Sequence, residues 1–439
     1  MHVSTSLLDS LSGAPSTSHG TDLQQHGIGM IIRPRVQRLL FSRLLKVLIT
    51  LTLAWAAYEV WIIRHALADE ASKESPPFGK QRIYIASIHW TDERILREYW
   101  VPAVLQLAQD IGRENVFVSV YESGSFDDTK GALQELDDHL TGMGIDHKVV
   151  LDGTTHLDEV SRERAEGGWV QMPSTKTYRQ NWTDWFSLEQ DEWVPRRIPY
   201  LARLRNQVME PLYEQQQLGN VYDKILWLND VVFDTEDVQR LLGTRNGDYA
   251  AACALDFKRA PAFYDTFALR DAAGYAPLTD TWPFFRSAES RDAIICWNGM
   301  IALDAKPFYR IVDRLAFRGI SDTLAASHLE GSECCLIHAD NPLSHEKGVW
   351  VNPNVRVGYN GTAYHAVNTG RVWPSSYAIM TGVWRNRITR WLRVFNTPDR
   401  VVEGRLQAAE QWAPDTIEPG QFCLIDEMQI LLWNGWGHA

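Results

Sequence analysis

The sequence predicts an α/β fold, with a mostly parallel sheet covered by helices on both faces and a membrane anchor ahead of it. Three observations lead there. From residue 82 onward, apolar runs alternate with segments of helical spacing, and that rhythm requires a parallel sheet buried on both sides. An uncharged stretch at 47–58 precedes the first run. Across 439 residues, 45% hydrophobic and 22% charged positions supply the core of one large domain or two medium ones.

Charge is distributed unevenly. The formal net charge of −12 argues against a nucleic-acid partner, which needs a basic face. Residues 1–64 nonetheless carry Arg33, Arg35, Arg38, Arg43, Lys46 and Arg64 against only Asp9, Asp22 and Glu59, so the acidic excess belongs to the remainder. Residues 1–42 read as a cytoplasmic tail, disordered and without periodicity over 1–30 and basic beyond. Residues 43–64 read as a transmembrane anchor, with Trp55, Tyr58 and Trp61 suited to the interface. Arg33, Arg35, Arg38, Arg43 and Lys46 lie ahead of the uncharged stretch 47–58, which places the N-terminus in the cytoplasm and the rest in the lumen. No small-residue cleavage site follows, so the anchor is expected to stay; a soluble amphipathic helix is the alternative. Residues 65–80, ending Ser75-Pro76-Pro77-Phe78-Gly79-Lys80, read as a stem.

The ordered part starts with Ile83–Trp90 as a buried strand. Asp92-Glu93 opens a helix with Ile95, Leu96, Tyr99, Trp100, Val104 and Leu107 at helical spacing. Val116–Tyr121 is the second strand, Asp127–Leu140 the second helix, stopped by Gly142 and Gly144, and His147–Leu151 the third strand. A polar, Trp-rich insert spans about 152–194. Ile198–Gln217 is a strong helix with the core stripe Leu201, Leu204, Val208 and Leu212. The strand Ile225–Leu228 then rises into Asn229-Asp230, ends at Asp234 and turns into the helix Thr235–Leu242. Asp248–Phe257 is another apolar strand that delivers a carboxylate, Asp256. Residues 258–300 read as an aromatic loop and Pro307–Phe317 as a helix. An apolar strand is expected before His338 and Asp340, and irregular chain from there to Tyr359. A basic amphipathic helix over Val383–Val394 and an acidic tail complete the chain.

Carboxylates at strand ends point to a cleft at the carboxyl edge of the sheet. A buried strand whose polar end only caps the next helix is the plainer reading of Asp234. An enzyme that breaks a sugar–phosphate bond stabilises the leaving diphosphate, commonly through Mg²⁺ or Mn²⁺ held by one or two carboxylates and phosphate oxygens. Asp230 is the first candidate ligand, with Asn229 and Asp234 assisting; Asn229-Asp230-Val231 is one acid short of Asp-x-Asp. His338 is a further candidate ligand, and Glu330 and Glu333 are candidate bases or acceptor-binding groups. Among five cysteines, Cys253, Cys296, Cys334, Cys335 and Cys423, no Cys-x-x-Cys pair exists, which speaks against a thiolate zinc site. Five is odd, so in an oxidised domain one is free or paired between chains. Gly-x-Ser-x-Gly and Gly-x-x-x-x-Gly-Lys are absent, and no Gly-x-Gly-x-x-Gly follows the first strand. Asn181-Trp182-Thr183 and Asn360-Gly361-Thr362 are glycosylation sequons.

Several uncommon motifs occur in order: Ile83-Tyr84-Ile85-Ala86, Tyr200-Leu201-Ala202 with Arg205-Asn206, Lys224 to Val231, Cys296-Trp297-Asn298-Gly299-Met300, Phe317-Arg318-Gly319-Ile320 and Glu330 to Leu336. Over Ile83–Tyr359 the chain thereby resembles the fungal cryptococcal-type α-1,3-mannosyltransferases and capsule-associated proteins. The resemblance implies a GT-A-like, Rossmann-type catalytic domain over 81–395 with a C-terminal extension over 396–439. It also implies a type II Golgi (or ER) membrane layout, GDP-mannose as donor and α-1,3 transfer to a mannose-containing glycan. An α-linked donor and an α product mean net retention, and front-face attack then needs no strong protein nucleophile. Within that scheme Asp230 would bind the metal. Arg203, Arg205, Asn206, Asn229 and Asp256 would serve the donor side, Glu333 would orient the acceptor or stabilise the reacting centre, and Trp297 and Asn298 would line the acceptor pocket. A non-catalytic partner in capsule or cell-wall glycan assembly is the alternative, and glycoside hydrolysis by Glu330 and Glu333 a third reading.

Overall fold

The computed structural model describes residues 34–72, 77–164, 167–179, 184–271, 274, 276–277, 279–281, 292–370, 372–393, 398–413 and 417–439. It divides into two units, Met1–Trp55 and Ala56–Ala439. Helix α1 spans Pro34–Ala71, and its stretch Ser42–Asp69 is long and apolar enough to cross a membrane. In the first unit, Leu44, Leu48, Leu51 and Leu53 of this helix are exposed. Arg33 and the tail before it lie outside the described residues. The helix runs on to Ala71, into the segment read as a stem.

Within the second unit, aliphatic and aromatic runs form β1 (Ile83–His89), β2 (Val116–Ser123) and β3 (His147–Asp152), joined by α2 (Val101–Ile111) and α3 (Thr129–Met143). The helix expected from Glu93 is interrupted. Leu96–Trp100 form a π-type turn just before Pro102, whose missing N–H cannot complete the ordinary ladder. Gly144 ends α3 in the left-handed conformation, as its position implies. Helix α4 (Arg197–Gln217) lies on β1 and β2, where its Val208 carbonyl accepts from Tyr84 Oη at 2.7 Å and Ser119 Oγ at 2.8 Å. Next come β4 (Lys224–Leu228), α5 (Thr235–Leu242), β5 (Ala251–Arg259) and β6 (Met300–Asp304). After these are α6 (Glu333–Ala339), β7 (Val349–Gly358), α7 (Gly361–Val367), α8 (Ser376–Arg393) and α9 (Pro398–Trp412).

The strand order is β3-β2-β1-β4-β6-β5-β7, extended at the β7 edge by Asp292–Ile295 and Arg270–Asp271. All the strands from β3 to β7 run one way except β6, which is antiparallel to β4 and β5. Alternating side chains feed two cores. Tyr84, Ala86, Ile225 and Trp227 enter one face, and Ile83, Ile85, Leu226 and Leu228 the other. This is the mostly parallel, doubly covered sheet that the alternation predicts. Because β6 is reversed, its first residue meets the carboxyl ends of β1, β2, β4, β5 and β7 along one edge of the sheet.

Several segments differ from expectation. Residues 349–358, expected to be irregular, form β7. Its Asn352-Pro353-Asn354 interruption is absorbed as a bulge, with Val351 opposite Cys253 and Arg356 opposite Leu255. A proline without N–H is tolerated in a strand where the ladder is broken in this way. Pro307–Phe317 is not an α-helix: one turn of 3-10 helix, Lys306–Tyr309, is followed by open chain. The apolar run before His338 is helix α6, opened by the Ser332 side chain accepting from Cys334 N. The Trp-rich insert holds two small ribbons, Trp169–Gln171 with Trp193–Pro195 and Lys176–Arg179 with Trp185–Leu188. The last residues, expected as an acidic tail, contain α9 and a hairpin, Gln429–Leu432 with Gly435–His438. They pack on the sheet domain through Arg318–Glu418 and the disulfide Cys335–Cys423.

Candidate active site

Strand β4 passes into Asn229-Asp230 at the carboxyl edge, and four neighbours fix Asn229. Its N–H donates to Gly299 O at 2.9 Å, and its carbonyl accepts from Trp100 Nε1 at 3.1 Å. Its side-chain oxygen accepts from Trp297 Nε1 at 3.2 Å, and its Nδ2 donates to Tyr359 Oη at 3.4 Å. Asn229 therefore has little left to offer a ligand. Asp230, next to it, makes no side-chain hydrogen bond among the described residues apart from that to its own backbone amide. Burial, and then the nearby Asp92 carboxylate, push Asp230 up to about 7, with His89 and Lys258 pulling the other way.

Behind Asp230 is a short polar chain. Ser87 Oγ donates to Leu228 O at 2.6 Å and lies 2.8 Å from His89 Nε2, and His89 Nδ1 lies 2.7 Å from Asp92 Oδ2. The single hydroxyl proton of Ser87 is spent on Leu228, so His89 Nε2 donates to Ser87. The buried imidazole also stands edge-on to Trp100, with ring centroids 4.5 Å apart. In front, Lys258 is exposed, with its ammonium 5.0 Å from the Tyr264 ring centre.

A second group of acids lies one strand over. Asp256 is fully buried, its Oδ1 accepting from Asp265 N at 3.2 Å. Burial raises both carboxyls, with the Asp265 charge adding to the rise at Asp256 and the Glu333 charge to that at Asp265. Asn298 donates Nδ2 to Asp265 O at 3.0 Å. Asn298 and Gly299 enter β6 with φ of 53° and 76°. A Cβ on Gly299 would come within 2.9 Å of Val357 Cγ2 and 3.2 Å of Asp256 Cβ, so this turn needs glycine there and an Asn-like residue before it. The disulfide Cys253–Cys296 ties the turn to β5.

The remaining predicted residues are engaged as follows. Arg205 is buried, donates Nε to Glu333 Oε1 at 3.0 Å, and lies 4.4 Å from the Trp297 ring centre. Trp297 is itself buried against Trp227 and Phe317. Glu330 accepts from Arg196 Nη2 at 2.7 Å, so each glutamate is held by its own arginine. Arg203 pairs with Glu159 at 2.7 Å, and Asn206 exchanges hydrogen bonds with the Phe317 backbone at 2.8 and 2.9 Å. Asp234 caps α5, accepting from Asp237 N at 2.9 Å and from Tyr364 Oη at 3.1 Å. The buried His338 ring has its Nε2 2.8 Å from Cys296 O. Asn360 is exposed and caps α7; Asn181 and Trp182 lie outside the described residues. The edge thus brings together Asn229, Asp230, Asp256, Trp297 and Asn298, while Asp234, Glu330, Arg203 and Asn206 serve helix caps, ion pairs and loops. Sequence reasoning missed His89, Asp92, Lys258, Asp265 and Tyr359. Only His89, near a strand's carboxyl end and three residues before Asp92, carried a signal.

Among the described residues no group of three His, Cys, Asp or Glu could form a metal cage. The donor set fits a different design. An unpartnered carboxylate beside a second acid suits a hard cation that takes one protein carboxylate and completes its shell with water and substrate phosphate.

A mostly parallel sheet with acids gathered at its carboxyl edge is an architecture suited to nucleotide-sugar transfer. The chain matches the family described as Cryptococcal mannosyltransferase 1 over residues 82–340, more than half its length. It belongs to that family, and is a glycosyltransferase of the mannosyltransferase class. A comparison with curated proteins finds no match. Among solved structures, the mannosyltransferase PcManGT from Pyrobaculum calidifontis, in complex with GDP-Man and Mn²⁺, is 11% identical with a TM-score of 0.37, over 85% of this chain and 92% of that one. TarS 1-349 of S. aureus is 10% identical with a TM-score of 0.36, over 76% and 83%. GalNAc-T7 with UDP, GalNAc and Mn²⁺ is 10% identical with a TM-score of 0.32, over 76% and 55%. Likenesses this distant carry no weight for donor or acceptor.

Proposed function

We propose that the protein transfers mannose from GDP-mannose to a mannose-containing glycan with net retention, forming an α-1,3 linkage. The observation that carries this reading is Asp230: within a mannosyltransferase family, it is a carboxylate at the carboxyl edge of the sheet with no side-chain partner among the described residues. Asp230 would hold Mn²⁺ or Mg²⁺ together with the donor diphosphate. When bound, the metal offsets charge on the departing diphosphate.

The chain's own groups do the rest. Asn229, locked by Trp100, Trp297, Gly299 and Tyr359, fixes the backbone that aims Asp230. Lys258 is exposed and close enough to Asp230 to affect it, and supplies positive charge to the diphosphate. The His89 ring bridges Ser87 and Asp92 behind Asp230 and fixes that side of the site. Asp256 and Asp265, through Asn298, shape the floor on which the sugar rests. Glu330 and Glu333 are both arginine-bound, which suits a reaction that needs no protein nucleophile. Trp297 and Asn298 act on the acceptor side by setting the turn and not by stacking on a sugar face.

The two disulfides suit an oxidising lumen, and the apolar helix α1 suits a signal anchor with a luminal catalytic domain in the Golgi. The test is to incubate the full-length protein in detergent with labelled GDP-mannose, Mn²⁺ and a mannose disaccharide, and to read the product by NMR. An α-1,3-linked trisaccharide is expected. A β anomer would overturn retention. Folded protein that neither transfers mannose nor hydrolyses the donor would overturn the enzymatic reading and favour a glycan-assembly partner.

A further inference from the structure

We infer that helix α8 is a membrane-docking helix that lies in the lipid headgroup region beside the anchor. The inference rests on the reading of α1 as a membrane anchor.

Helix α8 has two unlike faces. The inner face is fixed to the protein: Ile379 is buried, and Asn386 donates Nδ2 to Thr281 O at 3.0 Å and accepts from Thr279 Oγ1 at 2.7 Å. The outer face carries Tyr377, Met380, Trp384, Ile388 and Trp391, spaced three or four residues apart, followed by Leu392. Tyr377 is 73% exposed, Trp391 59% and Leu392 72%. A stripe of this spacing on a helix is normally turned inward to the core. Here it faces out, on a helix whose sequence also has Arg385, Arg387, Arg390 and Arg393 and no acid. Exposed aromatic and aliphatic residues on one face with arginines around them are the make-up of a helix lying in a membrane interface.

The location of α8 identifies the occupant. Arg387 makes a two-pronged ion pair with Glu59 of α1, one contact measuring 2.8 Å, and Arg64 of α1 donates Nη1 to Pro374 O at 3.1 Å, just ahead of α8. Glu59 lies inside the apolar stretch Ser42–Asp69, flanked by exposed Tyr58 and Trp61, whose rings stack at 6.1 Å. Tyrosine and tryptophan gather at membrane–water interfaces. An outward apolar stripe pinned by a salt bridge beside such aromatics meets lipid, and Arg387 neutralises the one carboxylate in that part of the anchor.

Spin labels on cysteines introduced one at a time at Ile388, Trp391, Leu51 and Asp138 of the full-length protein in lipid nanodiscs test this. The free Cys334 is buried. Asp138 is exposed on α3, which packs beside β3, an end strand of the sheet. Labels at 388 and 391 should be more accessible to oxygen than to a water-soluble nickel chelate, as at 51, with the reverse at 138. Labels at 388 and 391 that behave like 138, with 51 in lipid, would overturn docking and leave the anchor standing. A label at 51 that reads as aqueous would overturn the anchor and docking together. Dipolar broadening at 388 that disappears on dilution with unlabelled protein would show a second copy on the stripe and overturn the lipid assignment.

Discussion

Trp297 donates its indole N–H to the side-chain oxygen of Asn229 at 3.2 Å, across the gap between the turn before β6 and the end of β4. The bond explains why the polar step at 229–230 splits in function. Asn229 is consumed by the scaffold, while Asp230 beside it has no side-chain partner among the described residues. Trp297→Phe keeps an aromatic ring but removes the donor and strands a buried amide oxygen. A loss of about 1–3 kcal/mol in stability is expected. Activity should fall with unchanged secondary structure, by circular dichroism and initial-rate measurements. An unchanged thermal midpoint and rate would show that the bond does not matter.

Arg205 and Glu333 form a buried pair whose members need each other. Removing one charge leaves the other buried and uncompensated, so Arg205→Met is expected to destabilise by about 3–5 kcal/mol. Arg205→Met with Glu333→Leu should recover much of that loss, because an apolar pair of similar volume is often tolerated. Thermal unfolding of the two single variants and the double variant measures the coupling. If the double variant is folded and active, Glu333 has no catalytic part.

The sheet was legible over its longer apolar runs: β1, β2, β3, β4 and β5 fall where periodicity puts them, but the short run Met300–Leu303 was passed over and is β6. Strand β7 was not, because Asn352-Pro353-Asn354 removes the run, and only its partner β5, about 100 residues earlier, makes a bulge there tolerable. The run before His338 was ambiguous, since a short apolar stretch between polar flanks fits strand or helix equally; the Ser332 cap decides for helix. Asp230 could be read at the site because it ends a strand. Asp265 and Lys258 could not, because they reach the same edge through loops whose path depends on tertiary contacts. The bland reading of Asp234, a helix cap, describes its hydrogen bonds.

The disulfide Cys253–Cys296 fastens the Trp297–Gly299 turn to the central strand β5. Cys253→Ala with Cys296→Ala should lower stability by about 2–4 kcal/mol. It should also reduce transfer more than the pairwise loss of Cys335–Cys423, which lies outside the edge. Thermal midpoints and rates for the two double variants provide the comparison, and equal effects on rate would contradict it.

Asp237 gives a pH dependence of defined sign. Its carboxyl, held up at about 7 by burial and by Asp234, keeps a proton that the unfolded chain releases near pH 4. This group's contribution to stability is therefore present at low pH and is lost as pH rises from about 4 to about 7. Asp237→Asn removes that slope, at most about 1.4 kcal/mol per pH unit. The variant's thermal midpoint, set against the unmodified protein's, should improve between about pH 5 and about pH 7. A constant difference across that range would mean Asp237 is already ionised when folded.

The most direct test concerns Asp230 itself. Calorimetric titration of GDP-mannose with Mn²⁺ into the full-length protein and into Asp230→Asn isolates the metal-holding role from turnover. The account predicts binding that needs the metal in the unmodified protein, and a loss of about 100-fold or more in the variant at an unchanged thermal midpoint. Undiminished, metal-dependent binding by Asp230→Asn would contradict it.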